Sequence, residues 1–266
     1  MAIGVPRPLA LEKPQSVDLA QAARYFGAHG EPDAATLALL QKCAVPLLAA
    51  AMPRAVWLLA DTPALTEAGL LPGEDVHKHL TGCGQAILLA VTLGPGVDAQ
   101  IRRAGVGDIA AGVASDALGS ALAEQAADAA EAQLRQWAAT EGKYLTGRFS
   151  PGYGDWDIAV QPMVAAALDT VRKAGLCVTD TNLMTPRKSV TALLGASGIV
   201  FMLIMLASLA GMKDGRIPLT LILAAVLYLG QEVYAMVALR DNVANFMHLV
   251  GGVTGTVFGV VLAKRR

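Results

Sequence analysis

Apolar and polar residues follow two different periods over the first 190 residues of the chain. Apolar positions spaced for one face of a helix recur over residues 17–26, 34–52, 97–141 and 158–173. Short apolar runs between turn residues predict strands at residues 55–60, 86–93, 176–179 and 189–193. The run at 86–93 is continuous, which is typical of a central strand buried on both faces. These patterns predict an α+β soluble domain, with helices around one mainly antiparallel sheet.

The pattern changes after residue 188, where charged residues become rare. Apolar stretches of about 19 to 23 residues cover 193–211, 217–239 and 244–263, which is the length that a bilayer core requires. The sequence therefore predicts a first domain at residues 1–192, followed by three transmembrane α-helices within residues 193–266. This interpretation makes the chain a multi-pass membrane protein through its C-terminal third, with the lipid bilayer as a partner.

The basic residues give this topology a conflicting orientation. Lys213 and Arg216 lie between the first two spans, and the basic tail at 264–266 follows the third, so both groups fall on one side of the membrane. The positive-inside rule assigns that side to the cytoplasm and leaves the first domain outside. The start of the chain has no secretory signal, however, and the first domain is expected in the cytoplasm.

Overall charge and the potential metal ligands exclude two classes of function. The net charge is -1, so no nucleic-acid partner is predicted. The three cysteines are widely separated and have no metal-ligand spacing. His77 and His79, expected at a strand end, have no third ligand nearby, so we predict no metal site.

Residues 147–157 form the most distinctive stretch of the chain. They contain three glycines, one proline, two aspartates, one arginine and three aromatic residues. This density of glycine and proline predicts a shaped loop rather than a helix or a central strand. Two interpretations remain open: a well-packed turn, or a clamp for a small molecule. In the clamp, Arg148 would bind a carboxylate, next to Tyr153 and the backbone of Gly152.

Several motifs, in this order, resemble the activation domain of cobalamin-dependent methionine synthase, in its stand-alone short form. The resemblance covers about residues 15–195 and includes the loop just described. The motifs are Leu80-Thr81-Gly82-Cys83, Thr92-Leu93-Gly94 with Asp98 and Arg102, Asp116-Ala117-Leu118-Gly119-Ser120, Arg148-Phe149-Ser150-Pro151-Gly152-Tyr153-Gly154-Asp155, and Leu183-Met184-Thr185-Pro186-Arg187-Lys188-Ser189-Val190.

This resemblance implies an S-adenosylmethionine site. Carried over residue by residue, it assigns the amino-acid end of the cofactor to Arg148, Pro151, Gly152 and Tyr153. It implies a role in the reductive methylation that reactivates a methionine synthase or a related corrinoid protein. The cobalamin would arrive on a partner, the corrinoid-binding methionine synthase module, and the electron would come from a flavodoxin-type donor.

The C-terminal part suggests different chemistry. Ser197 and His248 lie at similar depths in the first and third predicted spans. There they would form either a nucleophile–base pair or a small-residue packing motif with a satisfied histidine. Residues 194–262 resemble the fourth and sixth spans of rhomboid intramembrane serine proteases. That resemblance implies that Ser197 is the nucleophile and His248 the general base.

The first three spans of that protease family have no counterpart in this sequence. Their absence removes oxyanion donors and predicts an inactive fragment. The sequence is also consistent with a third interpretation, a fused or artificially joined chain whose C-terminal spans are a non-catalytic membrane anchor.

Overall fold

The computed structural model describes residues 2–28 and 30–198. The helices are α1 (Leu19–Phe26), α2 (Ala34–Ala50), α3 (Thr62–Glu67), α4 (Glu74–His79), α5 (Pro95–Gly107), α6 (Ile109–Thr140), α7 (Gln161–Ala167) and α8 (Thr170–Ala174), with a 3-10 turn at Ile158–Val160. The strands are β1 (Arg7–Leu9), β2 (Arg54–Asp61), β3 (Gln85–Thr92), β4 (Lys143–Leu145), β5 (Cys177–Val178), β6 (Met184–Thr185) and β7 (Ser189–Gly198).

Five of these strands form one sheet in the order β1-β2-β3-β7-β4. The pairs β1–β2, β2–β3 and β3–β7 are antiparallel, and Leu89 of β3 lies between Trp57 of β2 and Ala192 of β7. Strands β5 and β6 form a separate antiparallel ribbon. The predicted α+β fold with a mainly antiparallel sheet is confirmed, as is the central position of the apolar run at 86–93.

Both faces of the sheet are covered by apolar side chains. On one face, Trp57 and Leu194 belong to the core that also contains the buried residues of α1, α2 and α6. On the other face, Leu58 and Leu193 pack in a core with Trp156 and residues of α7. Because successive side chains of a strand point to opposite faces, neighbouring residues such as Leu193 and Leu194 enter different cores.

Helices α5 and α6 replace the single helical region predicted over residues 97–141. Asp108 ends α5 and begins α6, and its side chain accepts a hydrogen bond of 2.8 Å from the N–H of Ala110. The two helices then pack so closely that a Cβ on Gly112 would lie 2.7 Å from the Cα of Gly105. This close contact depends on the absence of a side chain at Gly112.

The predicted membrane localisation and rhomboid-type segment are corrected by two findings. The first predicted span begins at Leu193, but Leu193 and the residues up to Gly198 form the second half of β7. Across residues 2–28 and 30–198, no helix has the length and the apolar character needed to cross a bilayer. The remaining part of the predicted spans lies outside the described residues.

The same finding affects the predicted domain boundary. The chain forms a compact unit over residues 1–196, and a boundary after residue 192 would fall inside β7. A short apolar run has no period that separates a buried strand from a membrane helix, so the sequence pattern alone places Leu193 in a span.

Candidate functional site

The loop at residues 147–157 is anchored at both ends. Near its start, Phe149 pairs with β7: its N–H donates to the carbonyl of Leu193 (2.9 Å) and its carbonyl accepts from the N–H of Leu193 (2.7 Å). Near its end, Trp156 is fully buried and its indole N–H donates to the carbonyl of Leu70 (3.1 Å). The rings of Phe149 and Trp156 stack nearly parallel at 5.9 Å.

Between these anchors the chain makes a tight turn. The N–H of Gly152 donates to the carbonyl of Trp156 (2.7 Å), and Gly152 and Gly154 have φ values of 94° and 55°. Asp155 accepts hydrogen bonds from the N–H groups of Glu74 (2.5 Å) and Asp75 (2.9 Å) at the start of α4. The hydrogen bond from the backbone N–H of Asp75 lowers the pKa of the Asp155 carboxyl most, and the one from Glu74 lowers it further.

Helix α4 supports the first residues of the loop as well. The two histidines expected at a strand end, His77 and His79, lie in α4 instead. The Nε2 atom of His79 is 3.0 Å from the carbonyl oxygen of Gly147 and 2.9 Å from the hydroxyl of Thr146, and its ring stacks on Phe149 at 5.1 Å. Across residues 2–28 and 30–198, no group of three or more His, Cys, Asp or Glu is arranged to hold a metal ion.

Arg148 points from this loop to α6, where three carboxylates surround it. Its Nη2 atom lies 3.1 Å from Glu124 Oε2 and 2.8 Å from Asp128 Oδ1, and its Nη1 atom lies 3.3 Å from Glu131 Oε2. The Arg148 side chain is only 17% exposed. Residues three and four positions apart share one face of a helix, which is why these three acids meet one guanidinium.

A second arginine fixes part of this cluster. Arg135 donates to Glu131 Oε1 from Nε (2.9 Å) and Nη2 (2.6 Å). It also donates to the carbonyls of Leu145 (2.6 Å) and Thr146 (2.9 Å), just before the loop. Arg135 therefore joins α6 to the chain that carries Arg148, and it orients Glu131 towards Arg148.

The charges in this cluster do not cancel. Three carboxylates face two guanidinium groups, which leaves one net negative charge. The Nη1 atom of Arg148 is buried and makes no hydrogen bond within the described part of the protein, although the charge of Glu131 is nearby. The surplus carboxylate beside Arg148 suits a ligand that carries both a carboxylate and a cation.

Two tyrosines lie next to this charged cluster. Tyr153, at the exposed tip of the loop, is 67% accessible, and Tyr25 at the end of α1 is 50% accessible. Partial burial raises the pKa of the Tyr25 hydroxyl, and the negative charge of Glu124 raises it further. Tyr153 adds a smaller increase to the same pKa.

A second polar cluster lies further towards the start of α6, on the same helix face. Lys188 Nζ is 2.9 Å from Asp116 Oδ1 and 2.9 Å from the Ser120 hydroxyl, and the Lys188 side chain is 9% exposed. A Cβ on Gly119 would lie 3.0 Å from Cε of Lys188, so the glycine leaves room for the lysine chain. This cluster joins the beginning of β7 to α6.

The structure brings together only some of the residues that the sequence indicated. Arg148, Pro151, Gly152 and Tyr153 occupy one loop, with Pro151 buried and the next two residues exposed. Ser197 lies in β7, and His248 lies outside the described residues. The predicted serine–histidine pair required Ser197 in a membrane helix, and this requirement is not met.

The sequence interpretation missed the carboxylates of Glu124, Asp128 and Glu131 as parts of the site. A usable signal was present, because their spacing of four and three residues places all of them on one face of a helix. What the sequence could not supply was the partner, since Arg148 is 17 to 24 residues further along the chain.

The fold and site together define an α+β domain in which a loop at the sheet presents an arginine to an acidic helix face. No protein-family model and no curated protein matches the chain. Among solved structures, the chain is similar to the reactivation domain of MetH in a crystal structure bound to AdoHcy. The match has a TM-score of 0.53 at 15% sequence identity, and it covers 73% of this chain and 79% of that chain. At this level of identity, the likeness establishes the shared fold.

Proposed function

We propose that this chain binds S-adenosylmethionine and supports the reactivation of a cobalamin-dependent methionine synthase or a related corrinoid protein. The observation that carries the proposal is the guanidinium of Arg148, held against the acidic face of α6 in a cluster with one net negative charge. The shared fold with a reactivation domain bound to AdoHcy, the demethylated form of this cofactor, supports it.

The amino-acid end of S-adenosylmethionine fits the charges of this site. Its α-carboxylate would bind the N–H groups of Arg148, and its α-ammonium would bind Glu124. The exposed backbone of Gly152 offers further hydrogen-bonding groups, and Tyr153 would cover the ligand from the loop tip. Pro151 is buried and would act by holding the shape of the turn.

In this proposal the chain binds and orients the cofactor, and the reaction occurs on a partner. The bound S-adenosylmethionine supplies the methyl group, which a cobalamin on a corrinoid-binding module accepts together with one electron. A flavodoxin-type protein is our proposed electron donor. The chain would thus be a component of methyltransferase reactivation that raises the rate by positioning the methyl donor.

Calorimetry with the full chain tests cofactor binding. We expect S-adenosylmethionine to bind, and we expect Arg148→Ala to weaken binding by at least roughly tenfold, because hydrogen bonds between charged groups contribute about 1.5–3 kcal/mol. Arg172→Ala is the matched control, since Arg172 pairs with Asp169 at the start of α8 and its side chain is 82% exposed. Absence of binding, or equal loss in both variants, would contradict the proposal.

A methyl-transfer assay tests the role itself. The chain is mixed with a corrinoid-binding methionine synthase module, a one-electron reductant and methyl-labelled S-adenosylmethionine. We expect label to reach the corrinoid only when the chain is present, and Arg148→Ala to reduce the transfer. Normal cofactor binding without any label transfer would leave a binding protein with a different role.

A further inference from the structure

The three carboxylates around Arg148 differ in how firmly the protein holds them. Glu131 is 16% exposed and is fixed by two hydrogen bonds from Arg135. The side chain of Glu124 is 36% exposed and accepts a hydrogen bond from Nη2 of Arg148. Asp128 approaches the same nitrogen at 2.8 Å, yet its side chain is 67% exposed.

Asp128 is therefore the carboxylate that moves most easily. A ligand carboxylate that binds Nη2 must displace one of the groups already there. Rotating an exposed aspartate into water costs little, because its charge remains hydrated, and exposed ion pairs are weak. Displacing Glu131 would break its hydrogen bonds with Arg135.

We propose that Asp128 is the specificity-determining residue of the site: a displaceable counter-ion of Arg148 that gives the site its preference for a positively charged ligand. This inference rests on the proposed cofactor function. With Asp128 present the cluster carries one net negative charge, and without it the charges balance. S-adenosylmethionine has a net charge of +1 from its sulfonium, ammonium and carboxylate, whereas S-adenosylhomocysteine is neutral.

The preference has a direct consequence for turnover. Transfer of the methyl group converts the sulfonium into an uncharged sulfide, so the product loses the charge that the site attracts. For this preference, the displaced Asp128 carboxylate must remain about 4 Å from the sulfonium, where two unit charges in a water-like environment interact by about 1 kcal/mol, or roughly fivefold in affinity. We therefore expect Asp128 to favour the methyl donor over its product about fivefold, which helps the product to leave.

Calorimetry with both ligands tests this inference in the full chain at low salt. We expect Asp128→Asn to lower the preference for S-adenosylmethionine about fivefold and to tighten S-adenosylhomocysteine, whose carboxylate no longer competes with Asp128. Asp128→Glu should restore the preference. Glu141→Gln is the matched control: it removes one exposed carboxylate at the end of α6, roughly 20 Å away along the helix.

Two further observations make the result decisive. Raising the ionic strength to about 0.5 M should reduce the preference in the unchanged protein but not in Asp128→Asn, because salt screens exposed charges. An unchanged ratio of the two affinities in Asp128→Asn, or an equal change in Glu141→Gln, overturns the inference. If the unchanged protein binds neither ligand, the proposed function itself fails. If binding depends on Arg148 while the ratio is insensitive to Asp128, only this inference fails.

Discussion

Replacing Trp156 by phenylalanine tests whether the buried end of the loop controls the binding site. Trp156 is fully buried, and its indole N–H donates to the carbonyl of Leu70, a residue that is only 3% exposed. Phenylalanine keeps an aromatic ring but removes the donor and part of the ring volume. The buried carbonyl left without a partner costs about 1–3 kcal/mol, and the lost packing costs about 1–2 kcal/mol.

Trp57→Phe is the matched control for this change. Trp57 is 6% exposed and packs on the opposite face of the sheet, with its ring 4.6 Å from that of Trp137. We expect it to lose the packing contribution only. Trp156→Phe should therefore be less stable than Trp57→Phe by about 1–3 kcal/mol, or by roughly 2–12 °C in Tm for a unit of this size.

The effect on ligand binding distinguishes anchoring of the loop from general destabilisation. Gly152 and Tyr153, two of the proposed ligand contacts, lie between the loop anchors Phe149 and Trp156, so loosening Trp156 should weaken S-adenosylmethionine binding by on the order of tenfold, because binding must then reorder the loop. Trp57→Phe should bind normally. Tm is measured by differential scanning calorimetry and affinity by titration calorimetry. Equal Tm losses in the two variants, or unchanged affinity in Trp156→Phe, would refute this reasoning.

Three further predictions concern the loop and the second polar cluster. Asp155→Asn should lower the urea midpoint of unfolding at pH 7. The pKa of Asp155 is depressed in the folded state. Its contribution to the free energy of unfolding is therefore fully present above the unfolded pKa of 3.8 and is lost as the pH falls through the lower folded pKa. The difference from the unchanged protein should therefore shrink below about pH 4, and a difference independent of pH would contradict this. Gly154→Ala should lower the Tm more than Gly82→Ala. Both glycines have positive φ, but only a Cβ on Gly154 would lie 2.5 Å from a carboxylate oxygen of Asp75. Equal Tm values in the two variants would rule out this steric reason. Lys188→Met should lower the free energy of unfolding by about 1–3 kcal/mol, less than the loss of a fully buried ion pair, because the Asp116 side chain is 44% exposed. Adding Asp116→Ala should recover part of this loss in chemical denaturation, and no recovery would argue against the ion pair.

The sequence allowed the middle of the sheet to be predicted well. The apolar run at 86–93 has the composition of a strand covered on both faces, and β3 indeed lies between β2 and β7. The same composition misled the interpretation at Leu193, where the strand continues to Gly198. An apolar run without alternation is compatible with a buried strand or an apolar helix, and only its partner β3 decides between them.

The local structure around His77 depended on contacts that sequence patterns do not reveal. Asp155 accepts hydrogen bonds from the first N–H groups of α4, about 80 positions earlier in the chain. This cap satisfies donors that would otherwise remain free at a short helix start. The candidate site shows the same limit: Arg148 could be proposed as a ligand cation from its loop, but the acids that oppose it come from a different element.

The position of β7 has a consequence for synthesis of the protein. This strand is the last described element of the chain, yet it lies inside the sheet, between β3 and β4. Until residue 198 has left the ribosome, the eight residues of β3 present an open edge of unpaired backbone N–H and C=O groups between apolar side chains. Such an edge is a template for pairing with other chains, so the nascent protein is vulnerable to aggregation until β7 emerges. A chaperone that shields β3 during this interval should raise the yield of folded protein.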